Sequence, residues 1–362
     1  MKIDNSFLFD LARTLYSDLS YNNKDGKIYP PLRYILEITY RCNLTCPFCY
    51  LGEKRKLNEL TKNEWINVIN QIPPYAFISF LGGEIFIRED IFELMKYASK
   101  HVLGKINLYS NGTLMNKEKL DELLKIKLLL YSVSLDGIGS KHDQLRCKEG
   151  VFDKTLESLL YVNQNKKNKK SPLTEIKTVV LDENLEELPK LYKLANDNKI
   201  DFITFSFIRT TSIRQNPHLI DEMSNEFLTK EYPIKKYFDF DVFEEVYKEL
   251  ESLSKNAHTL IRWAPKFKPH TPVSTIKHLF DNGEKNIKEL YKPCKFPFSD
   301  IFINPEGDIY PCLPIKMGNL REEKLSKIIN DTKFKEFRKL LKQEKVFTPC
   351  NLCCDLYPIP PQ

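Results

Sequence analysis

The 362-residue sequence has no charged-then-apolar leader at its start. No apolar run approaches the roughly 18 residues of a membrane span, so neither export nor a membrane is expected. It also lacks the even cysteine framework of a small secreted domain: most of its nine cysteines cluster, as 42/46/49, 294/312 and 350/353/354. Clustered thiols of this kind point to metal ligands in a reducing compartment, and the expected location is the cytoplasm. Basic runs interleaved with aromatics are missing as well. The densest one, Lys166-Lys167-Asn168-Lys169-Lys170, ends an amphipathic pattern and reads as a solvated helix end. With a net charge of +6 spread over scattered lysines, no nucleic-acid partner is expected. Hydrophobic residues make up 42%, ample for a core, and the length fits two or three domains or one barrel with extensions.

What is present is a regular alternation. Strand patterns run at 34–40, 75–81, 105–110, 129–135, 174–181 and 201–208, with helical patterns at 61–71, 89–101, 115–126, 151–165 and 185–198. Repeated β-then-α units predict a parallel sheet with helical crossovers. Six units make an incomplete barrel, and the sequence after 210 does not clearly supply the two further pairs of a closed one. Ahead of it, Phe7, Leu8, Leu11, Ala12, Leu15 and Leu19 form an apolar stripe at helical spacing, expected to pack on the body. Residues 217–293 hold no motif beyond an amphipathic helix at 240–254 and an extended, proline-rich bridge, 263–272.

Each strand end carries something other than packing residues. After the first comes Arg41-Cys42-Asn43-Leu44-Thr45-Cys46-Pro47-Phe48-Cys49-Tyr50, with three cysteines within eight residues. These are too close to be pinned as separate disulfides, and they sit where α/β proteins keep their sites. Three thiolates hold three corners of a [4Fe–4S] cluster and leave one iron open, while a zinc knuckle or buried thiols are the plainer alternatives. The second strand ends in Gly82-Gly83-Glu84, where glycines permit close backbone approach and the glutamate adds an acceptor. The third ends in Ser110-Asn111-Gly112-Thr113, a turn able to offer hydroxyl and amide partners. The fourth ends in Ser134-Leu135-Asp136-Gly137, followed by His142 and Arg146. Arginine's planar fork suits a carboxylate. His142 is read as a loop-fixing residue, not a general base, and Cys147 as a small buried hydrophobe. Strand six reads as apolar on both alternations, and the polar stretch 209–216 beyond it is either a substrate contact or a solvated loop.

The cysteine spacing and these strand ends together resemble the radical S-adenosylmethionine (SAM) superfamily. The resemblance implies an α/β fold, a partial (β/α)6 barrel with a small α+β C-terminal iron–sulfur domain. It implies a [4Fe–4S] cluster on Cys42, Cys46 and Cys49 whose open iron is chelated by SAM. Phe48 then packs near the adenine, Gly82, Gly83 and Glu84 bind the methionine amino group, and Ser110 and Asn111 offer polar contacts. Ser134 and Arg146 take the ribose and carboxylate.

The tail has a second set. Residues 300–310 read as a hairpin turning at Pro305-Glu306-Gly307, between Cys294 and Cys312, with a helix near 322–343 before Cys350, Cys353 and Cys354. This layout resembles a twitch domain, the shortened relative of the SPASM domain, which carries at least three more cysteines. It implies one auxiliary [4Fe–4S] cluster on Cys294, Cys312, Cys350 and Cys353, with Cys354 a substitute and four-thiolate zinc the alternative. The expected divisions are 1–30, a helical extension; 31–232, the barrel; 233–293, a bridge; and 294–362, the cluster domain.

Function follows from the resemblance: reductive cleavage of SAM to a 5′-deoxyadenosyl radical, which takes hydrogen from a substrate C–H bond. The external one-electron reductant is flavodoxin- or ferredoxin-like. An auxiliary cluster able to accept an electron favours net oxidation of a small alcohol or sugar. The alternative is a ribosomal peptide that is cross-linked, oxidised or epimerised. Against it, the thirty residues before the first strand are too few for a leader-binding domain. Molybdenum-cofactor cyclases share the layout, but their paired C-terminal glycines are missing here. The remaining alternative is a zinc-bound scaffold without chemistry.

Overall fold

The computed structural model describes residues 5–51, 58–166, 171–208, 238–268, 270–282, 287–312 and 315–360. The stretch 209–216 and Lys167–Lys170 lie outside the described residues. Six parallel strands appear where the alternation placed them, with bounds shifted or trimmed by a few residues: β1 (Arg33–Glu37), β2 (Phe77–Leu81), β3 (Ile106–Ser110), β4 (Leu130–Ser134), β5 (Leu173–Val180) and β6 (Phe202–Phe207). The crossovers are α2 (Lys62–Asn70), α3 (Ile91–His101), α4 (Lys117–Leu123), α5 (Ser140–Arg146) with α6 (Val151–Asn165), and α7 (Leu188–Asp197), preceded by α1 (Asn5–Tyr21). Local chemistry sets their starts. Thr61 and Glu64 close a capping box on α2, and Asn116 caps α4 by accepting from Lys119 N.

The sheet is larger than the six-strand reading. A seventh parallel strand, β7 (Leu260–Ala264), follows α8 (Phe240–Leu253) and pairs with β6. The bridge therefore contributes a strand; its short pattern, interrupted by Arg262 and closed by Pro265, hides it. Next come α9 (Val273–Asn282) and α10 (Ile287–Leu290). The expected tail hairpin forms as β8 (Asp300–Ile303) and β9 (Asp308–Tyr310), with Gly307 at φ +87° in its turn. β8 lies parallel to β1, so the hairpin continues the barrel sheet, which runs β10-β9-β8-β1-β2-β3-β4-β5-β6-β7 with β10 being Gly318–Asn319. The single tail helix expected over 322–343 is two, α11 (Leu325–Ile328) and α12 (Thr332–Glu344), because Asp331 caps a new start by accepting from Phe334 N at 2.6 Å.

The two faces of the sheet differ in chemistry. Outward-facing Phe80, Leu108, Val133, Ile176, Ile203, Phe205 and Phe207 are buried in the main core. The other alternation carries Ser79, Asn107, Tyr109, Ser132, Ser134, Glu175, Lys177, Thr204 and Arg262, which register puts side by side across the strands. Strand six is therefore not apolar on both alternations: Thr204 and Ser206 turn to this concave face. At its foot, Arg33 pairs with Asp300 beside it on β8, and Asp355 of the tail reaches Arg33 and Arg13 of α1, each at 3.6 Å. α1 thus docks through Arg13, Ser17 and Tyr21, whose ring meets Phe298 edge-on. Leu15 and Leu19, expected to pack inward, are each 60% exposed.

Since β8 covers the edge of β1 and Asp300 neutralises Arg33, a chain ending at residue 293 exposes an apolar parallel strand edge beside an unpaired buried cation. Such a truncated chain should lack a cooperative thermal transition by circular dichroism, and retention of the full-length transition would show that the barrel is independent of its tail.

Candidate functional site

β1 ends at Glu37, and the chain leaves it as the cysteine loop. The glycine turn after β2 is hydrogen-bonded directly to that loop: Gly83 N donates to Thr39 O and Glu84 N to Arg41 O, both at 2.8 Å. A Cβ on Gly82 would lie 2.2 Å from Thr39 O, and one on Gly83 2.2 Å from Arg41 O. The glycines are thus needed for the approach of two protein backbones, whatever else they touch. Glu84 is turned inward and fully buried. Its carboxylate accepts from Phe86 N, Ser110 Oγ and Asn111 N at 3.1, 2.9 and 2.7 Å. Burial pushes its pKa up, opposed by those amides and the hydroxyl. As an acceptor for a ligand it is already occupied, and Ser110, which also accepts from Gly112 N, faces it from inside.

Asn111 joins the end of β3 to the loop. Its Nδ2 donates to Asn43 Oδ1 at 2.9 Å and lies 3.9 Å from Cys42 Sγ, while its Oδ1 accepts from Thr113 N and Oγ1. Asn43 in turn donates to Thr113 Oγ1 at 2.8 Å, closing a ring of amides and a hydroxyl around the first thiol. Sequence reading did not single out Asn43 or Thr113 for this.

On the other side stands Arg146. Its Nη1 lies 3.6 Å from Cys46 Sγ, and its Cζ sits 5.3 Å from the centre of the Phe48 ring. Buried Asp136 holds it, accepting from Nε at 2.6 Å while its other oxygen accepts from Val179 N. Burial alone would weaken Arg146's charge; Asp136 and Cys46 outweigh that and hold its pKa above the ordinary value. Asp136 is fixed in turn by His142, whose Nδ1 accepts from Asp136 N at 3.0 Å. Burial lowers His142 to about 4, so the ring is neutral at pH 7 and acts as the loop-fixing residue expected. Ser134, partly exposed, ends β4 on the concave face beside Lys177. Cys147, expected to be a small buried hydrophobe, is exposed instead, capping the end of α5 at φ +55°.

A link to the tail was missed altogether. Buried Glu37 accepts from Tyr40 Oη at 2.7 Å, from Tyr50 Oη at 3.2 Å and from Tyr310 Oη, two residues before Cys312. The only signal was a carboxylate in an apolar strand. In the tail, Cys294, Cys350 and Cys353 are buried in the main hydrophobic core and Cys312 packs against that core. Burial, then neighbouring Cys312 and Cys350, drive the Cys294 thiol well above its ordinary range. Cys354 is less buried, with Sγ 3.5 Å from Asp355 Oδ2. Among the described residues, no three His, Cys, Asp or Glu side chains converge on a point that a single metal ion would fill.

The donor chemistry fits iron–sulfur clusters at both places. Each set is all thiol; the loop set is half-exposed beside an arginine and an amide, and three of the four tail thiols are buried, where bound metal would favour thiolates. Known proteins agree. Residues 36–195 match the model of the Radical SAM superfamily, and 294–355 that of an iron–sulfur cluster-binding domain. AdoMet-dependent heme synthase of Methanosarcina barkeri is 26% identical over 88% of this chain and 86% of its own. PqqA peptide cyclase of Bradyrhizobium diazoefficiens is 31% identical over 47% of this chain, which spans only 45% of that protein. In fold, Streptococcus suis SuiB bound to precursor peptide SuiA aligns at a TM-score of 0.63 and 21% identity, covering 92% of this chain and 72% of that one.

Gly83→Ala should force the two loops apart and cut the iron retained after anaerobic reconstitution by about half; iron content equal to wild type would show that the zipper is dispensable. For His142, the lowered folded pKa means the unfolded chain binds the extra proton between pH 6.5 and about 4. Its contribution is full above pH 6.5 and is lost as pH falls, about 3 kcal/mol in total. Denaturant titrations at pH 7 and 4 should show this drop narrowed in His142→Asn; an unchanged drop would locate the acid sensitivity elsewhere.

Proposed function

Because the chain belongs to the radical SAM superfamily and carries a C-terminal iron–sulfur cluster-binding domain, we propose that it uses SAM and two [4Fe–4S] clusters to modify a peptide substrate held in the barrel lumen. The observation that carries this reading is the half-exposed thiol triplet locked to the glycine turn, opening beside Arg146 onto a polar concave face. When bound, the reduced first cluster supplies the electron that cleaves SAM, and the radical formed takes hydrogen from a C–H bond.

The chain's own residues have distinct tasks in this account. Cys42, Cys46 and Cys49 hold the first cluster. The backbone of Gly82 and Gly83 accepts the SAM amino group, while buried Glu84 holds Ser110 and Asn111 in place. Phe48 offers the adenine an apolar face. Arg146 directs its fork at the carboxylate, with Ser134 beside it, and Asp136 and His142 orient Arg146 without touching the ligand. Cys294, Cys312, Cys350 and Cys353 hold the second cluster. The greater burial of Cys353 and the Asp355 contact of Cys354 favour Cys353 as fourth ligand. The ion cluster of Arg13, Arg33, Asp300 and Asp355 floors the lumen and separates it from solvent below.

The expectation of a small alcohol or sugar finds no support among the relatives, and the peptide alternative fits them better. One observation favours a second reading, a tetrapyrrole: the heme synthase is matched over nearly its whole length.

Reconstituted protein should hold about eight irons and form 5′-deoxyadenosine from SAM under reduction. Cys46→Ala should hold about four and form none, while Cys312→Ala should also fall to about four yet still cleave SAM. Zinc in place of iron, with no cleavage, would overturn the reading. Peptides encoded beside the gene, deuterated at Cα and Cβ, should transfer deuterium into 5′-deoxyadenosine; transfer only from a deuterated porphyrin would favour the tetrapyrrole.

A further inference from the structure

The charges of the concave face are matched almost throughout. Glu175 accepts from Thr204 Oγ1 at 2.6 Å and lies 3.8 Å from Arg262, whose Cζ stacks 3.4 Å from the Phe202 ring centre. Arg33 is neutralised by Asp300 and Asp355. Lys177 is the exception. Its Nζ sits 5.6 Å from the centre of the Tyr109 ring, and among the described residues no carboxylate lies within ion-pair distance of it. It is half-buried and stands in register between Ser134 of β4 and Thr204 of β6. Among the described residues the buried hydroxyls of Ser132, one layer below in register with Glu175, and of Ser206, one layer above in register with Val179, have no hydrogen-bond partner. The two sealed hydroxyls lie too far apart to share one ligand group with Lys177, but the half-buried ammonium without a carboxylate, on a face whose other cations are matched, is a charge that an anionic ligand would complete.

We infer that Lys177 is a specificity site for a carboxylate of the substrate. The inference rests on the reading that the lumen holds the substrate, and it narrows that substrate to an acid. The carboxylate can belong to an acidic side chain of a peptide or to a propionate-type arm of a small molecule; both present the same planar anion. SAM's own carboxylate is assigned to Arg146.

The test uses cluster-loaded protein with SAM bound and four probes: an acetylated Gly-Glu-Gly-Glu-Gly peptide, its glutamine version, a porphyrin with free propionates, and its methyl ester. By calorimetry, an acid should bind more tightly than its neutral partner, and the preferred pair identifies the source. Lys177→Gln should weaken the acid about 10- to 100-fold while Lys177→Arg retains most of the affinity. Iron content and the thermal transition of both variants report folding. Equal binding of acid and neutral probes, or loss in Lys177→Gln of SAM affinity alone, would overturn the inference. Substrate-free formation of 5′-deoxyadenosine judges the radical SAM reading separately: its persistence alongside failed acid binding would sink only the carboxylate site.

Discussion

Two backbones meet at the top of β1 and β2, and the rest of the site is assembled on that contact. The hydrogen bonds from Gly83 to Thr39 and from Glu84 to Arg41 fix where the cysteine loop can run, and no side chain fits between them. From that seam the constraint spreads sideways. Glu84 gathers Ser110 and Asn111, Asn111 grips Asn43, and the first thiol inherits its place from them. The opposite wall is a relay of buried polar contacts, His142 to Asp136 to Arg146, ending at the second thiol. Such networks are rigid only when every member is satisfied, and here each named group has its partner.

The same strand carries the connection to the tail. Its foot holds Arg33 against Asp300 and Asp355, and its top holds Glu37 against Tyr310. The tail cysteines are therefore referenced to the barrel at both ends of β1. The sheet they share has an apolar outer face and a polar inner face.

Much of this was legible from residue patterns. Period-two and period-3.6 runs marked six βα units, and the thiol spacing with the strand-end motifs marked the loop and its cofactor. Side-chain direction was not legible. Glu84 could face a ligand or the interior, and the sum of burial and three donors took it inward. Thr204 and Ser206 looked like minor interruptions in an apolar strand, yet they lie on the polar face. β7 escaped because five residues with an arginine at the centre carry little periodicity. Leu15 and Leu19 show the converse, a helical stripe of which this part meets solvent. Glu37 gave no sign of its three tyrosines, since two are loop residues and Tyr310 is distant in sequence.

The account's central claim is that one of two clusters, the one on the loop after β1, has an iron open to SAM while the other does not. Electron paramagnetic resonance of the dithionite-reduced, reconstituted protein, recorded with and without SAM, tests this directly. The account predicts two overlapping [4Fe–4S]⁺ signals, of which SAM shifts one and leaves the other unchanged. A spectrum indifferent to SAM, or one in which both signals move, would contradict it.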